Sequence, residues 1–268
     1  MTDTGAAPLP PRQFKLGRLR PRARGPRLSL GNYLLASLPA PPATVDYSSK
    51  GKDFLSRILG NDTLGDCTAA GAFHTGGLFL ANAGVTPVPF TEAEVIAFYS
   101  ATSGYVPGDP DTDNGADEVT VLNYWKQTGL IPGQHKITGY MAVDPTNKIE
   151  QQQAMWLFES LYFGIELPDA WVNPMPGASG FVWDVAGGAN PNYGHCFVGV
   201  GYNAQGVQID SWGMIGTITW GAINKYCRPS PGGELYTILG PDSISKATAK
   251  NAAGFDATQL LADLQAIN

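Results

Sequence analysis

Hydrophobic and polar positions change their period part-way along the chain. Residues 67–82 (CTAAGAFHTGGLFLAN) are apolar almost throughout, the pattern of a helix buried on every side. Gly71, Gly76 and Gly77 cost that helix propensity, so they predict close packing against it. Thr91 stands three residues before Glu94, a capping box that opens a helix running to about residue 102. Asp117 to Thr128 reads as a helix stopped by Gly129, and Ile149 to Phe163 as one stopped by Gly164. Beyond that the period shortens. His195 to Tyr202, Val207 to Asp210, Gly216 to Thr219 and Glu234 to Leu239 read as strands. Near the end, Leu260, Leu261, Leu264 and Ile267 share one face of a last helix. Helices first and strands later predict an α+β chain in two lobes: a helical lobe over about 45–130, a β lobe over about 131–250, and a C-terminal helix in 251–268.

Composition narrows the class. Of the 268 residues 43% are hydrophobic and 15% charged, which describes a globular chain with a lightly charged surface. No apolar run reaches the length of a membrane-spanning helix. The short run Leu34 to Leu38 is closed by Pro39, which argues against a classical signal peptide. Three cysteines (Cys67, Cys196, Cys227) build no disulfide framework and favour a reducing compartment, so the expected location is cytoplasmic or particle-associated. The three histidines (His74, His135, His195) stand in no metal-ligand spacing, and no metal or cofactor is expected.

Charge marks off the beginning. Residues 1–44 carry a net +6 and eight of the 21 prolines, and the rest carries −12. Such a segment reads as an extended arm joined to a body over 45–268. Its charge suits an acidic protein surface or assembly. The lack of interleaved aromatics argues against nucleic acid, and nothing points to a membrane.

Candidate chemistry centres on Cys67, which opens a helix after the polar loop Asn61 to Asp66. A helix N-terminus favours a thiolate and leaves backbone N–H groups free for an oxyanion. Among the histidines, His195 starts an apolar strand, and the next strand ends in Asp210-Ser211-Trp212-Gly213. An Asp there could orient the imidazole and a Trp could shield that bond from water. Cys196 and Cys227 are expected to be inert buried thiols, His74 a satisfied core histidine and His135 solvated. Trp125, Trp156 and Trp220 are expected in the core. The aromatic loop 168–194 is expected to wall or cover a cleft.

These segments together resemble the papain-like cysteine peptidases. Val45-Asp46-Tyr47 with Lys50-Gly51 is similar to the family's mature start, and Asn61 to Cys67 to its nucleophile loop. Asp113 to Ala116 is similar to its substrate strip, Gly194-His195-Cys196 with Gly199 to Tyr202 to its histidine strand, and Asp210 to Gly213 to its N-S-W-G turn. The resemblance implies a two-lobe papain-like fold with Cys67 as nucleophile and His195 as general base and acid. It implies Asp210 as the histidine's orienter and Asn61 as the oxyanion donor. Asn114 and Gly115 would be the strip that pairs with substrate, and Trp212 the shielding indole. Departures are Asp for Asn at 210, Asn for Gln at 61, Asp66 before the nucleophile, and the absence of a cysteine pair at Leu64 and Asp113. The expected activity is cleavage of peptide or isopeptide bonds in a peptide or protein substrate through an acyl-enzyme on Cys67. The alternative is a catalytically silent papain-fold component of a larger assembly, such as a virus particle, docked through residues 1–44.

Overall fold

The computed structural model describes residues 13–21, 28–250 and 254–267. Three short strands come first, β1 (Arg18–Leu19), β2 (Leu28–Ser29) and β3 (Val45–Asp46). A helical stretch follows: α1 (Lys52–Leu55), α2 (Cys67–Asn82), α3 (Glu92–Ser103), β4 (Ala116–Asp117) and α4 (Glu118–Gln127). The second half holds β5 (Gly139–Ala142), α5 (Lys148–Phe158), β6 (Leu161–Glu166), α6 (Asp169–Val172), β7 (Val182–Trp183) and β8 (Gly194–Tyr202). It closes with β9 (Gly206–Ser211), β10 (Met214–Thr219), α7 (Trp220–Tyr226), β11 (Glu234–Leu239), α8 (Ser243–Lys250) and α9 (Ala257–Ala266). The expected α+β architecture is present.

One sheet runs in the order β2-β5-β11-β6-β8-β9-β10-β7, with β3 pairing β8. It is antiparallel except at its ends, where β2 runs parallel to β5 and β7 to β10. Strand alternation gives each face its own core. On β8, Cys196, Val198 and Val200 join the helical core of α2, α3 and α4, whereas Phe197 joins the core on the other face. Helix α2 lies on the first face with thirteen of its sixteen residues buried. Its glycines are there for close approach, as expected. A Cβ on Gly77 would come within 2.3 Å of the Phe54 ring and one on Gly76 within 2.5 Å of Leu130.

The expected caps hold. Thr91 and Glu94 form a reciprocal capping box, and Asp117 caps α4 through the Thr120 N–H. The helix expected over 149–163 is shorter. It ends at Phe158 because Glu159 turns left-handed (φ 61°), and Leu161 onward is the central strand β6. All six residues of β6 are buried, so they show no period to tell strand from helix. The two-residue strands β1, β2, β3, β4 and β7, the four-residue β5 and the short helices α1, α6, α7 and α8 are also absent from the sequence-based pattern.

The segment before Val45 is less separate from the body than its composition suggests. Strand β2 extends the main sheet, and Leu30 and Tyr33 are buried in the main core. The Tyr33 hydroxyl donates to Asp263 of α9 (2.7 Å), and Leu34 bridges Phe255. Helix α9 docks through Leu260 and Leu264, while Leu261 stays exposed. Residues 1–12 and 22–27 of the arm lie outside the described residues.

Candidate active site

Cys67 is the first residue of α2, and α2 lies against β8, which carries His195. Both side chains are 1% exposed. What covers them is the arm. Residues 13–21 run extended across the cleft, with β1 pairing β4 in parallel register, Arg18 opposite Ala116 and Leu19 opposite Asp117. The Ala116 N–H donates to the Gly17 carbonyl (3.0 Å). The backbone N–H groups of Cys196 and Gly17 both face the Cys67 thiol. The arm therefore turns a backbone donor toward the sulfur, while the Gly17 carbonyl is held by Ala116.

Each cleft wall contributes an anchor. Phe14 stacks on Trp212 (5.0 Å, 12°), and its N–H meets the Met175 sulfur at 3.0 Å. Lys15 pairs with Asp113 (3.1 Å), a carboxylate that also accepts from the Gly65 N–H and the Tyr99 hydroxyl. The Arg18 guanidinium is buried, bonded to the Gly232 carbonyl (2.7 Å) and the Glu234 carboxylate (2.5 Å). Arg20 grips Glu166 with two N–H groups at the exposed rim. Gly17 fits because it has no side chain. A Cβ there would stand 1.9 Å from the Gly65 carbonyl, and one on Gly115 1.9 Å from the Gly17 carbonyl.

Burial dominates the electrostatics of the site. Burial pushes the Cys67 thiol up to about 12; the N–H of Cys196 opposes this, Asp66 adds to it and the Gly17 N–H opposes it. Burial alone lowers His195 to about 3, so its imidazole is neutral. The Asp66 carboxyl, buried with no hydrogen-bond partner of either oxygen among the described residues, is pushed well above the carboxylate range by desolvation.

The expected site residues divide. His195 and Trp212 come together, and Cys67 lies on the adjoining helix α2, which packs on β8. Trp212 (φ 54°) stacks on the imidazole at 4.2 Å and 16°. Loop 168–194 supplies a wall rather than a cover. Trp183, packed flat on Trp171, meets both His195 and Trp212 edge-on. Asn61 is buried beside the cleft, its amide bonded to the Leu64 carbonyl (3.0 Å) and reaching the arm's Lys15 carbonyl at 3.5 Å. The pairing strip lies one to two residues later than expected, at Ala116–Asp117. Gly115 gives its N–H to Tyr99, and the Asn114 amide turns to Asp111.

Asp210 is the main departure. It lies on the face opposite His195 and pairs with His74 of α2, Oδ2 to Nδ1, at 2.8 Å. His195 Nε2 instead meets the Ser211 hydroxyl at 2.9 Å. The cause is the pleat: successive residues of a strand point to opposite faces, so Asp210 and Ser211 cannot both reach one imidazole. Asp210 pairs in register with Val198, a helix-face position, which places it among the residues under α2. His74 is the buried, satisfied histidine the pattern suggests. His135 is half-buried against Phe90 rather than fully solvated. Cys196 and Cys227 are buried free thiols.

The geometry has counterparts among solved structures. Xylellain, a cysteine protease from Xylella fastidiosa, superposes with a TM-score of 0.59 at 14% identity, covering 87% of this chain and 99% of its own. The fold is papain-like. Digestive procathepsin L2 from Tenebrio molitor gives 0.57 at 16% identity over 84% of this chain and 78% of its own. The Carica candamarcensis cysteine protease CMS1MS2 gives 0.50 at 16% over 74% and 98%. No family model and no curated protein matches the sequence. In the papain-like frame, Cys67 and His195 occupy facing elements at the junction of the helical core and the sheet.

Proposed function

We propose that the chain is a papain-like thiol hydrolase of peptide bonds, held closed by its own residues 13–21. The observation that carries this reading is an extended peptide segment lying in backbone register over a helix-N-terminal cysteine. The cleft is thus shaped for a peptide chain. With the arm displaced, water reaches the dyad, and the desolvation that holds Cys67 up and His195 down is relieved. The thiol proton then passes to the free imidazole nitrogen and the thiolate attacks the amide carbonyl. The developing oxyanion meets backbone N–H groups at the start of α2. The C–N bond breaks as His195 returns the proton to the amine, and water hydrolyses the thioester. Ser211 holds the imidazole through Nε2, and Trp212 screens that bond.

The test inserts a site-specific protease sequence between Arg22 and Arg27, folds the intact chain and then nicks it. A thiol-directed epoxide should modify Cys67 only after nicking, located by mass spectrometry, and peptide hydrolysis should appear with it. A nicked chain shown to have shed residues 1–22, yet neither labelled nor active, overturns the reading. It would leave a peptide-binding module, which the engaged Asn61 amide and the buried Asp66 carboxyl would suit.

A further inference from the structure

The pocket under Arg18 has a composition that the arm alone does not require. The Arg18 side chain fills a recess between α4, β6 and β11 with its guanidinium fully enclosed. One Glu234 oxygen takes the guanidinium, and the other accepts from the Tyr236 hydroxyl (2.6 Å). Behind it, Glu118 is 0% exposed and lies against both Glu234 and Cys196. Its carboxyl rests on bare backbone, because a Cβ on Gly164 would come within 2.1 Å of Oε1. Burial and the neighbouring Glu234 carboxylate push the Glu118 carboxyl well above the carboxylate range.

We infer that this two-carboxyl recess is a guanidinium-recognition subsite, and that the hydrolase takes peptides with an arginine one or two residues from the bond it cuts. This deepens the function proposed above and rests on it. Arg18 is the residue next to Gly17, whose N–H faces Cys67, so the recess serves the position beside the thiol. An exposed cation holds an arm with little selectivity, as Arg20, 60% exposed at the rim, does on Glu166. A buried charge is different. Once the arm leaves, water solvates Glu234, and an incoming peptide must dry it again. A neutral side chain there would bury an unpaired carboxylate, whereas an arginine restores both the charge and the hydrogen bonds to Glu234 and the Gly232 carbonyl. The arm's own arginine then stands in for the substrate side chain, in a strand parallel to β4.

Two measurements separate this inference from the hydrolase reading. In the first, the full chain carrying Arg18→Ala is titrated with agmatine and with its neutral urea analogue in thermal unfolding. Agmatine should restore much of the lost stability and the urea should not. Glu234→Gln in the same background should abolish the difference. No agmatine effect in a folded Arg18→Ala chain overturns the subsite whether or not the protein is an enzyme. If Arg18→Ala does not fold, Arg18→Lys with the same titration replaces it.

In the second, the nicked chain is given matched fluorogenic peptides with arginine or citrulline at each position in turn. Arginine at one position should be preferred by about 100-fold in kcat/KM, or in affinity if nothing is cleaved. Glu234→Gln should reduce this below about tenfold. Equal treatment of arginine and citrulline by a chain that cleaves both leaves the enzyme standing and refutes the subsite. In that case the recess is an anchor for the arm only.

Discussion

Replacing Asp210 and Ser211 separately should split stability from catalysis, in the direction opposite to that expected from the motif alone. His74 Nε2 lies 3.0 Å from the Arg57 carbonyl, which only accepts, so Nε2 carries a proton. The 2.8 Å contact between Nδ1 and Asp210 then needs a second proton shared by ring and carboxyl. Asp210→Ala strands that buried imidazole and opens a void. Breaking a buried pair costs about 3–5 kcal/mol, or roughly 10 °C of melting temperature at this chain length. Asp210→Asn should recover most of this. An asparagine amide can donate to Nδ1 while Nε2–H keeps the Arg57 carbonyl, so both ring nitrogens are satisfied without charge. Ser211→Ala removes one neutral hydrogen bond from the His195 ring, worth about 1 kcal/mol. It should slow the nicked enzyme about five- to tenfold in kcat and leave the melting temperature within a few degrees of the parent. The assays are differential scanning calorimetry on the intact chains and peptide turnover on the nicked ones. Asp210→Ala that abolishes turnover while keeping its melting temperature, beside a fully active Ser211→Ala, would refute the assignment and return Asp210 to the imidazole.

Gly17→Ala drives a methyl into the Gly65 backbone, so it should loosen the arm, expose residues 13–21 to limited proteolysis and raise basal hydrolysis. Iodoacetamide at pH 8 should label Cys67, Cys196 and Cys227 slowly in the intact chain, since burial raises all three; nicking should accelerate Cys67 alone. His195 is lowered in the closed protein from 6.5 to about 3, so the exposed state binds the extra proton between those limits. Stability against urea should therefore fall as pH drops from 6.5 toward 3, and His195→Gln should flatten that part of the profile. Arg18→Ala should cost more in melting temperature than Arg20→Ala: both carboxylates are buried, but Arg18 is enclosed and its loss also empties the recess, whereas the Arg20 side chain is 60% exposed.

The helical half was legible because its signals are local. A capping box, an N-cap Asp and a run of small residues each act within one turn, and α2, α3 and α4 follow from them. Cys67 was legible for the same reason, as a cysteine opening a helix. What failed needs partners far away in sequence. β6 is buried on both faces and carries no alternation, so its first three residues, Leu161 to Phe163, read as the tail of α5. Asp210 was assigned by matching a four-residue turn. The face on which it lies depends on the β8–β9 register and on a shift in that register between Gly199 and Gly201. A one-residue offset in such a strand exchanges the two faces. Alternation along β8 does contain the missing signal: His195 and Phe197 belong to one face, and Cys196 and Val198 to that of His74. The arm's charge was legible, but its target was not. Lys15, Arg18 and Arg20 find Asp113, Glu234 and Glu166, three acids spread over more than a hundred residues.

The anchoring of Leu28 to Tyr33 in the main sheet and core changes how the site competes for ligands. Ser29 is fixed beside β5 and Arg20 beside Glu166, with eight residues between them in sequence. A segment released from the cleft is therefore still tethered beside it. Short flexible tethers give effective concentrations on the order of millimolar. A free peptide of micromolar intrinsic affinity would meet an internal competitor in about thousandfold excess over its dissociation constant. Occupancy by substrate is then a local concentration problem before it is a problem of contacts, and a single cut between Pro21 and Leu28 turns a unimolecular competitor into one that dilution removes.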